Sequence, residues 1–203
     1  MSWKDVARNI YMHLEQIKLH LACGTKAIEG YTNIDCRYFP NVDSVDNVRF
    51  LRSLKNDTVD VIYASHVLEH FSRWDYESVL ERWHGILKPN GVLRLAVPDF
   101  EQIAKYYLKT KKIRDVSGML FGGQDYPENN HFWCWDFNEL KKDLNKIGFK
   151  KVKKYNWRET DHADVDDFSQ AYLPYMDKDN GTLMSLNVEA IKIKCPSSGS
   201  STG

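Results

Sequence analysis

Apolar residues along the chain form short segments that alternate with longer, periodic ones. Four short apolar segments, at residues 17–22, 33–36, 59–64 and 91–97, have the length of strands and end in polar or small residues. The last two are apolar on both faces, which favours strands covered from both sides, as in a parallel sheet. Two further strand-like segments, residues 151–157 and 185–194, close the pattern.

Helical periodicity begins three times after a polar residue that can cap a helix, at Ser72, Asp99 and Asp136. Gly91 and Gly148 lie where the first and third helices are expected to stop. The predicted apolar faces are Val79, Leu80, Trp83, Ile86 and Leu87; Ile103, Ala104, Tyr107 and Leu108; and Leu140, Leu144 and Ile147. Alternating strands and helices predict an α/β domain with a mostly parallel sheet.

Two long segments, residues 118–135 and 159–180, show no period and are predicted to be loops. Loops of that length in a compact domain are usually functional or disordered. We expect residues 1–195 to form a single domain and the Ser/Gly-rich residues 196–203 to be a disordered tail.

Charge and cysteine content narrow the possible partners and the compartment. The 203 residues carry 28 Lys and Arg against 28 Asp and Glu, so no excess charge favours nucleic acid or an anionic membrane. No apolar run reaches the length of a membrane span, and the first residues lack the apolar core of a signal peptide. The four cysteines show no pairing pattern, which predicts reduced thiols and a cytoplasmic protein. The sequence makes no prediction of the oligomeric state.

Two features near the start of the sheet are suited to binding a nucleotide. The first strand runs into the small-residue turn Ala22-Cys23-Gly24-Thr25, where a backbone can approach a ligand closely. Asp35 ends the next strand, and a carboxylate at such a tip can accept hydrogen bonds from ribose hydroxyls. Only 35 − 24 = 11 positions separate Gly24 from Asp35, so the first crossover helix is predicted to be nearly absent.

The most specific signal is the segment DVIYASHVLEHF at residues 60–71, followed by LKPNGVL at 87–93 and VPDF at 97–100. Together with the turn after residue 21 and a helix ending in Ile147-Gly148-Phe149, these segments resemble the class I methyltransferases of the type-11 group. The resemblance implies a Rossmann-like, doubly wound, seven-stranded sheet, mostly parallel with an antiparallel last strand. It also implies S-adenosylmethionine as cofactor.

The resemblance further implies which residues contact that cofactor: His20, Ala22, Cys23, Gly24, Thr25, Asp35, Asp46, Asn47, Ala64, Ser65 and His66. Three candidates for a base that removes a proton from an acceptor hydroxyl are His66, Asp99 and His131, in that order. The expected acceptor is a small molecule or a glycan. Residues 118–135 are expected to cover the cofactor cavity as a hinged lid, with glycines for movement and aromatic residues to exclude water. The alternative is a loop packed permanently on the sheet, with those aromatics as core.

Two other functions compete with methyl transfer. Departures from the family's turn at His20, Ala22 and Lys26 suit a degenerate, cofactor-binding member without catalysis. His66, Glu69 and His70 match H-x-x-E-H, the motif of a class of zinc peptidases. That motif belongs within a helix, and here it directly follows a strand. A third metal ligand is also missing nearby, so we expect neither a peptidase nor a bound metal.

Overall fold

A seven-stranded sheet forms the centre of the molecule, for which a computed structural model describes residues 16–193. Its strands are β1 (Lys18–Leu21), β2 (Thr32–Asp35), β3 (Ser44–Val45), β4 (Val59–Ser65), β5 (Leu87–Pro98), β6 (Phe149–Lys154) and β9 (Ser185–Lys192). They lie side by side in the order β3-β2-β1-β4-β5-β9-β6. The predicted tail, Cys195 and Lys194 lie outside the described residues.

Strands β1 to β5 pair in parallel, whereas β9 runs antiparallel to both of its neighbours, β5 and β6. The chain order therefore reverses at β1, so the carboxyl ends of β1 and β4 flank a crevice of the kind that binds ligands in open α/β sheets. The predicted Rossmann-like α/β fold is confirmed. The short first crossover is confirmed too, because residues 22–31 contain turns and no helix.

In the described part of the chain, four α-helices pack against the sheet or each other: α1 (Tyr76–Ile86), α2 (Phe100–Thr110), α3 (Ile113–Phe121) and α4 (Phe137–Ile147). Asp99 and Asp136 cap α2 and α4 as predicted, each accepting a hydrogen bond from the backbone N–H three residues on. Gly148 ends α4 at a φ of 121°, a conformation that favours glycine. Within residues 16–193, no helix is both long and apolar enough to cross a membrane.

The main core lies between the sheet and the helices α1 and α4. Every residue of the predicted α1 face is fully buried, as are Leu140 and Leu144 of α4. Trp83 is the largest of these side chains, and its indole N–H donates to the Val48 carbonyl at 2.8 Å. This bond ties α1 to the loop after β3.

Three local predictions were wrong. Ser72 does not cap α1; its hydroxyl instead donates to the carboxylate of Asp75, the residue that precedes the helix. On α2, Tyr107 and Leu108 are exposed, because the helix buries Ile103 and packs Tyr106 against α3. The predicted loop at 118–135 begins later than expected, since residues up to Phe121 belong to α3. Gly118 is therefore helical and is not a hinge.

The long segment after β6 also contains structure that the sequence did not predict. Two strands of two residues each, β7 (Tyr172–Leu173) and β8 (Thr182–Leu183), pair as a small antiparallel ladder. Val165 from this segment packs near Tyr63 of β4, with Ile28 and Tyr31. The segment therefore covers part of the sheet beside the shortened crossover.

Candidate active site

The turn after β1 and the tip of β2 are joined by a single carboxylate. Asp35 is almost completely buried, and its Oδ2 accepts a hydrogen bond from the Gly24 N–H at 2.8 Å. Its Oδ1 accepts one from the Arg37 N–H, also at 2.8 Å. Gly24 has a φ of 54°, in the left-handed region that glycine adopts readily. Two backbone segments are therefore oriented around Asp35.

The other predicted cofactor residues near this turn take different positions. Cys23 is buried, and that burial, reinforced by the charge of Asp35, raises the pKa of its thiol to about 11. Thr25 is exposed, while Asp46 follows β3 and donates its N–H to the Asp35 carbonyl at 3.0 Å. Asn47 comes next and is exposed. These residues line one edge of the sheet, as the family pattern implies.

The His20 side chain contacts residues of the neighbouring strands. Its Nδ1 lies 3.1 Å from Asn33 Oδ1, and its ring stacks on Tyr63 with centroids 5.3 Å apart. The imidazole is 2% exposed, and burial lowers its pKa. His20 therefore stands where an acidic residue is common in the family, but its ring packs between strands.

The tip of β4 carries a second polar group of residues. Ala64 is buried, and the buried Ser65 hydroxyl has no hydrogen-bond partner among the residues that the structure describes. His66 follows with a φ of 52°, outside any helix, and donates its backbone N–H to Ala96 of β5. The short 3-10 turn Leu68–His70 begins after it. The H-x-x-E-H motif is thus split between a strand end and a turn, which removes the helical basis of the peptidase interpretation.

Three residues bring their polar atoms together just beyond this tip: Glu69, His70 and His131. One carboxylate oxygen and one nitrogen of each ring lie within 4.8 Å of one another. Glu69 is completely buried, and His66 Nδ1 lies 3.1 Å from its Oε1. The expectation that a third ligand is missing here is therefore wrong, because His131 reaches the motif from 61 positions further along the chain.

The histidines around Glu69 oppose the effect of its burial. Burial alone acts to raise the pKa of this carboxyl, but His66, His70 and His131 in their protonated forms outweigh it, and the pKa is lowered. Burial lowers the pKa of His131, with the Glu69 charge acting in the opposite direction. The cluster therefore combines an anionic carboxylate with an imidazole that favours its neutral form.

Residues 122–135 connect the two polar groups. At one end the Phe132 N–H donates to the Glu69 carbonyl at 2.8 Å. At the other end the Tyr126 ring lies under the Arg37 guanidinium, 4.2 Å from its centre, beside the β2 tip. The segment therefore runs along the carboxyl edge of the sheet, from the tip of β4 to the tip of β2.

The aromatic residues of this segment divide between core and surface. Trp135 is buried and donates its indole N–H to Asp143 at 3.0 Å. Trp133 packs partly against the core beside Tyr76. Phe132 is 56% exposed. Packing thus fixes the end of the segment at Trp135, whereas Tyr126 and Phe132 belong to its outer part.

Asp99, the remaining candidate base, lies apart from the cluster. It caps α2 and lines a groove of about 270 Å³ with Ser185 and Asn187. Burial raises the pKa of its carboxyl, and the Gln102 N–H that it accepts acts against this. His66 reaches the same groove through Ser185, whose Oγ lies 3.1 Å from His66 Nε2. The structure therefore brings His66 and His131 to Glu69 and leaves Asp99 beyond Ser185.

Glu69, Ser185 and Tyr126 were not among the predicted site residues. Glu69 was visible in the H-x-x-E-H pattern but was considered only as a peptidase base. Ser185 carried no signal, since it reaches His66 only through the folding of a distant segment. Tyr126 was expected only as one of the aromatic residues of the predicted lid, and its contact with Arg37 was not predicted.

Comparisons with known proteins agree with this geometry. A family model described as a methyltransferase domain matches residues 13–154. A comparison with curated proteins finds no match by sequence.

Solved structures with a similar fold include three methyltransferases at low sequence identity. The 1,6-didemethyltoxoflavin-N1-methyltransferase of Burkholderia thailandensis, with bound 1,6-didemethyltoxoflavin and S-adenosylhomocysteine, has a TM-score of 0.56 at 14% identity, covering 94% of this chain and 78% of its own. A SAM-dependent methyltransferase from Archaeoglobus fulgidus has a TM-score of 0.53 at 15% identity, covering 93% and 92%. A possible histamine N-methyltransferase from Thermotoga maritima has a TM-score of 0.53 at 15% identity, covering 91% and 86%.

The sheet order, the polar groups at the tips of β2 and β4, and the matched family model all point the same way. The zinc peptidase finds no support in any of them. The interpretation of the sequence as a class I, S-adenosylmethionine-dependent methyltransferase is confirmed, and the chain belongs to the methyltransferase domain family.

Proposed function

We propose that this enzyme transfers the methyl group of S-adenosylmethionine to a hydroxyl oxygen of a small molecule or glycan. The observation that carries the proposal is the carboxyl edge of the sheet. There, Asp35 and the turn after β1 lie at one end, the Glu69 cluster lies at the other, and residues 122–135 connect them.

Asp35 is suited to hold the ribose of the cofactor. A carboxylate offers about four acceptor positions, and backbone N–H groups use one on each of its oxygens. The positions left over can accept the two ribose hydroxyls. The backbone of Ala22 to Thr25 would face the methionine portion, and Asp46 with Asn47 would lie along the adenine, as in the family.

The tip of β4 would then lie beside the transferable methyl, as the family pattern implies for Ala64, Ser65 and His66. Transfer forms a bond between the acceptor oxygen and the methyl carbon, while the carbon–sulfur bond breaks and sulfur keeps its electron pair. The protein's contribution is alignment of the two substrates and exclusion of water. The unpartnered Ser65 hydroxyl is a free polar group at this position.

The acceptor hydroxyl must also lose its proton, and the Glu69 cluster is the place we propose for this. Of the three candidate bases, His66 and His131 lie beside Glu69, with His66 Nδ1 3.1 Å and His131 Nε2 4.0 Å from its Oε1. Asp99 lies beyond Ser185. Position therefore favours the Glu69 cluster over Asp99 as the place where the proton is removed.

Residues 122–135 act as the cover of this site. The contact of Tyr126 with Arg37 lies at the exposed outer part, whereas Trp133 and Trp135 anchor the segment to the core. Movement would thus be confined to residues between Gly122 and Phe132. The free thiols of Cys23, Cys36 and Cys134 fit the cytoplasmic location that we propose for the enzyme.

The experiment that tests this function is calorimetric titration of the purified protein with S-adenosylhomocysteine. We expect binding at one site per chain. Radiolabelled S-adenosylmethionine, offered with panels of hydroxyl- and amine-bearing acceptors, then identifies the atom that receives the methyl group. A folded protein that does not bind S-adenosylhomocysteine would refute the proposed function, and transfer to amines alone would refute the hydroxyl acceptor.

A further inference from the structure

The Glu69 carboxylate is buried without a satisfactory partner. Its side chain is completely inaccessible to solvent, and among residues 16–193 neither oxygen finds a hydrogen-bond donor of acceptable geometry. His66 Nδ1 comes within 3.1 Å of Oε1, but not in a hydrogen-bonding orientation. An ionised carboxylate that is buried without hydrogen bonds is costly unless another charge compensates for it.

The two histidines that meet Glu69 each bond a backbone carbonyl through Nδ1. His70 Nδ1 lies 3.1 Å from the Asn130 carbonyl, and His131 Nδ1 lies 2.9 Å from the Met119 carbonyl. A carbonyl oxygen can only accept, so each Nδ1 must carry the proton. In the neutral rings, each Nε2 therefore holds a lone pair, and the Nε2 of His131 lies 4.0 Å from Glu69 Oε1. One nitrogen of each ring and one carboxylate oxygen of Glu69 lie within 4.8 Å of one another.

The hydrogen bonds of His66 also leave one ring nitrogen of the neutral side chain without a proton, in this case Nδ1. The Ser185 hydroxyl donates to Asn187 Oδ1 at 2.9 Å, so its oxygen is free to accept from His66 Nε2. The proton of a neutral His66 is then on Nε2, and Nδ1 presents a lone pair to Glu69. A backbone carbonyl fixes Asn187 in turn, because its Nδ2 donates to the Ser169 carbonyl.

We propose that Glu69, His70 and His131 bind a divalent transition-metal cation at the tip of β4. Such a cation would compensate the buried charge of Glu69 and would be coordinated by one ring nitrogen each of His70 and His131. Two imidazoles and one carboxylate are a ligand set typical of Zn²⁺, Mn²⁺, Co²⁺ or Fe²⁺, whereas Mg²⁺ and Ca²⁺ favour oxygen ligands. Donation of each second ring N–H to a backbone carbonyl is the usual support of metal-binding histidines.

Three protein ligands leave coordination positions free, which is characteristic of a catalytic and not a structural metal site. This second step rests on the proposed function: a free position would bind the acceptor hydroxyl beside the methyl donor. A bound cation lowers the pKa of a coordinated hydroxyl, so the proton leaves to solvent and the oxygen attacks as an alkoxide. The acceptor class is thereby narrowed to molecules that present an oxygen ligand to the metal.

The test is a titration of the chelator-treated, full-length protein with Zn²⁺ alone and with Co²⁺ alone. We expect one ion per chain by calorimetry, visible absorption from the protein-bound Co²⁺, and a rise in Tm of about 5 °C at a hundredfold excess over Kd. Glu69→Gln and His131→Ala should each weaken binding at least tenfold. His84→Gln, a histidine of α1 outside the cluster, should bind as the wild type does.

Wild-type protein that binds neither ion, or variants that bind as tightly as the wild type, would overturn the proposal. The wild-type titration decides the matter even if a variant fails to fold. Calorimetry with S-adenosylhomocysteine on the same sample keeps the two proposals apart. Binding of S-adenosylhomocysteine without metal binding refutes only the metal site, and metal binding without S-adenosylhomocysteine binding refutes only the proposed function. Metal binding that leaves acceptor turnover unchanged would overturn the catalytic role alone.

Discussion

Replacement of Asp35 by Asn separates its two roles, support of the β1 turn and binding of the ribose. An amide has the shape of the carboxylate but only one acceptor oxygen. Because the N–H groups of Gly24 and Arg37 approach different oxygens, one of them would face the amide NH₂ group. Asp35→Asn therefore leaves one partly buried donor without an acceptor, and it also removes the charge that the ribose hydroxyls would meet.

Both losses can be given a size. An unsatisfied buried donor costs about 1–3 kcal/mol of folding free energy. For a chain of this length, that corresponds to a decrease in Tm of about 2–12 °C. Losing a hydrogen bond to a charged acceptor costs about 1.5–3 kcal/mol of binding, so Kd for S-adenosylhomocysteine should increase about 10- to 150-fold.

Thermal unfolding and calorimetric titration of the same preparation measure the two effects. Asp43→Asn is the matched control, since Asp43 also accepts a backbone N–H, that of Asn33, but precedes β3 and is not among the residues expected to contact the cofactor. We expect Asp43→Asn to lower Tm with little change in Kd. An Asp35→Asn protein that is folded and binds S-adenosylhomocysteine with wild-type affinity would refute the assignment of Asp35 to the ribose.

Three other predictions concern the cover, a buried histidine and the core. Tyr126→Ala removes a cation–π contact worth about 0.5–1 kcal/mol, so Tm should fall by about 1–4 °C. If the segment closes over the bound cofactor, calorimetry should also show a two- to fivefold weaker affinity for S-adenosylhomocysteine, and unchanged affinity would contradict that closure. Burial and, to a smaller extent, the charge of Arg94 lower the pKa of His162 from about 6.5 in the unfolded chain to about 4 in the folded protein. The contribution of neutral His162 to the free energy of unfolding is therefore complete above pH 6.5 and is lost as pH falls towards 4. The free energy of unfolding, measured with denaturant, should decrease between pH 7.5 and pH 5.0 by about 2 kcal/mol less in His162→Phe than in the wild type. Equal decreases in the two proteins would show that His162 is not responsible. Trp83→Ala should lower the free energy of unfolding by about 3–5 kcal/mol in the same assay, and a cost below 1 kcal/mol would contradict its place at the centre of the core.

Sequence periodicity predicted the central elements because burial dictates them directly. Strands β4 and β5 are covered on both faces, which requires a continuous run of apolar residues, and α1 buries a continuous apolar stripe, which requires apolar residues at helical spacing. Both patterns can be identified in the sequence alone. Helix α3 was missed for the converse reason. It has no side-chain cap and contains Gly118, and its packing depends on Val116 meeting Ile103 and Met184 from distant parts of the chain.

The same distinction explains which part of the site was predictable. Asp35 and the turn at Gly24 follow directly from chain order, since both lie at the ends of adjacent parallel strands. The meeting of His131 with Glu69 does not, because it requires residues 122–135 to dock on the turn after β4. A motif search at fixed spacing cannot detect a partner that is brought in by the path of a long loop.

The position of residues 122–135 has a kinetic consequence for a reaction with two substrates. One end of the segment is bonded to the turn after β4, and its Tyr126 contacts Arg37 at the tip of β2. A donor that occupies the crevice beneath would enter or leave only while this contact is broken. The two substrates would then bind in a compulsory order, donor first, and the demethylated donor would be the last product released. Such an enzyme is inhibited by its own spent cofactor competitively with respect to the donor, so its rate in the cell would follow the ratio of the two forms more closely than the concentration of either.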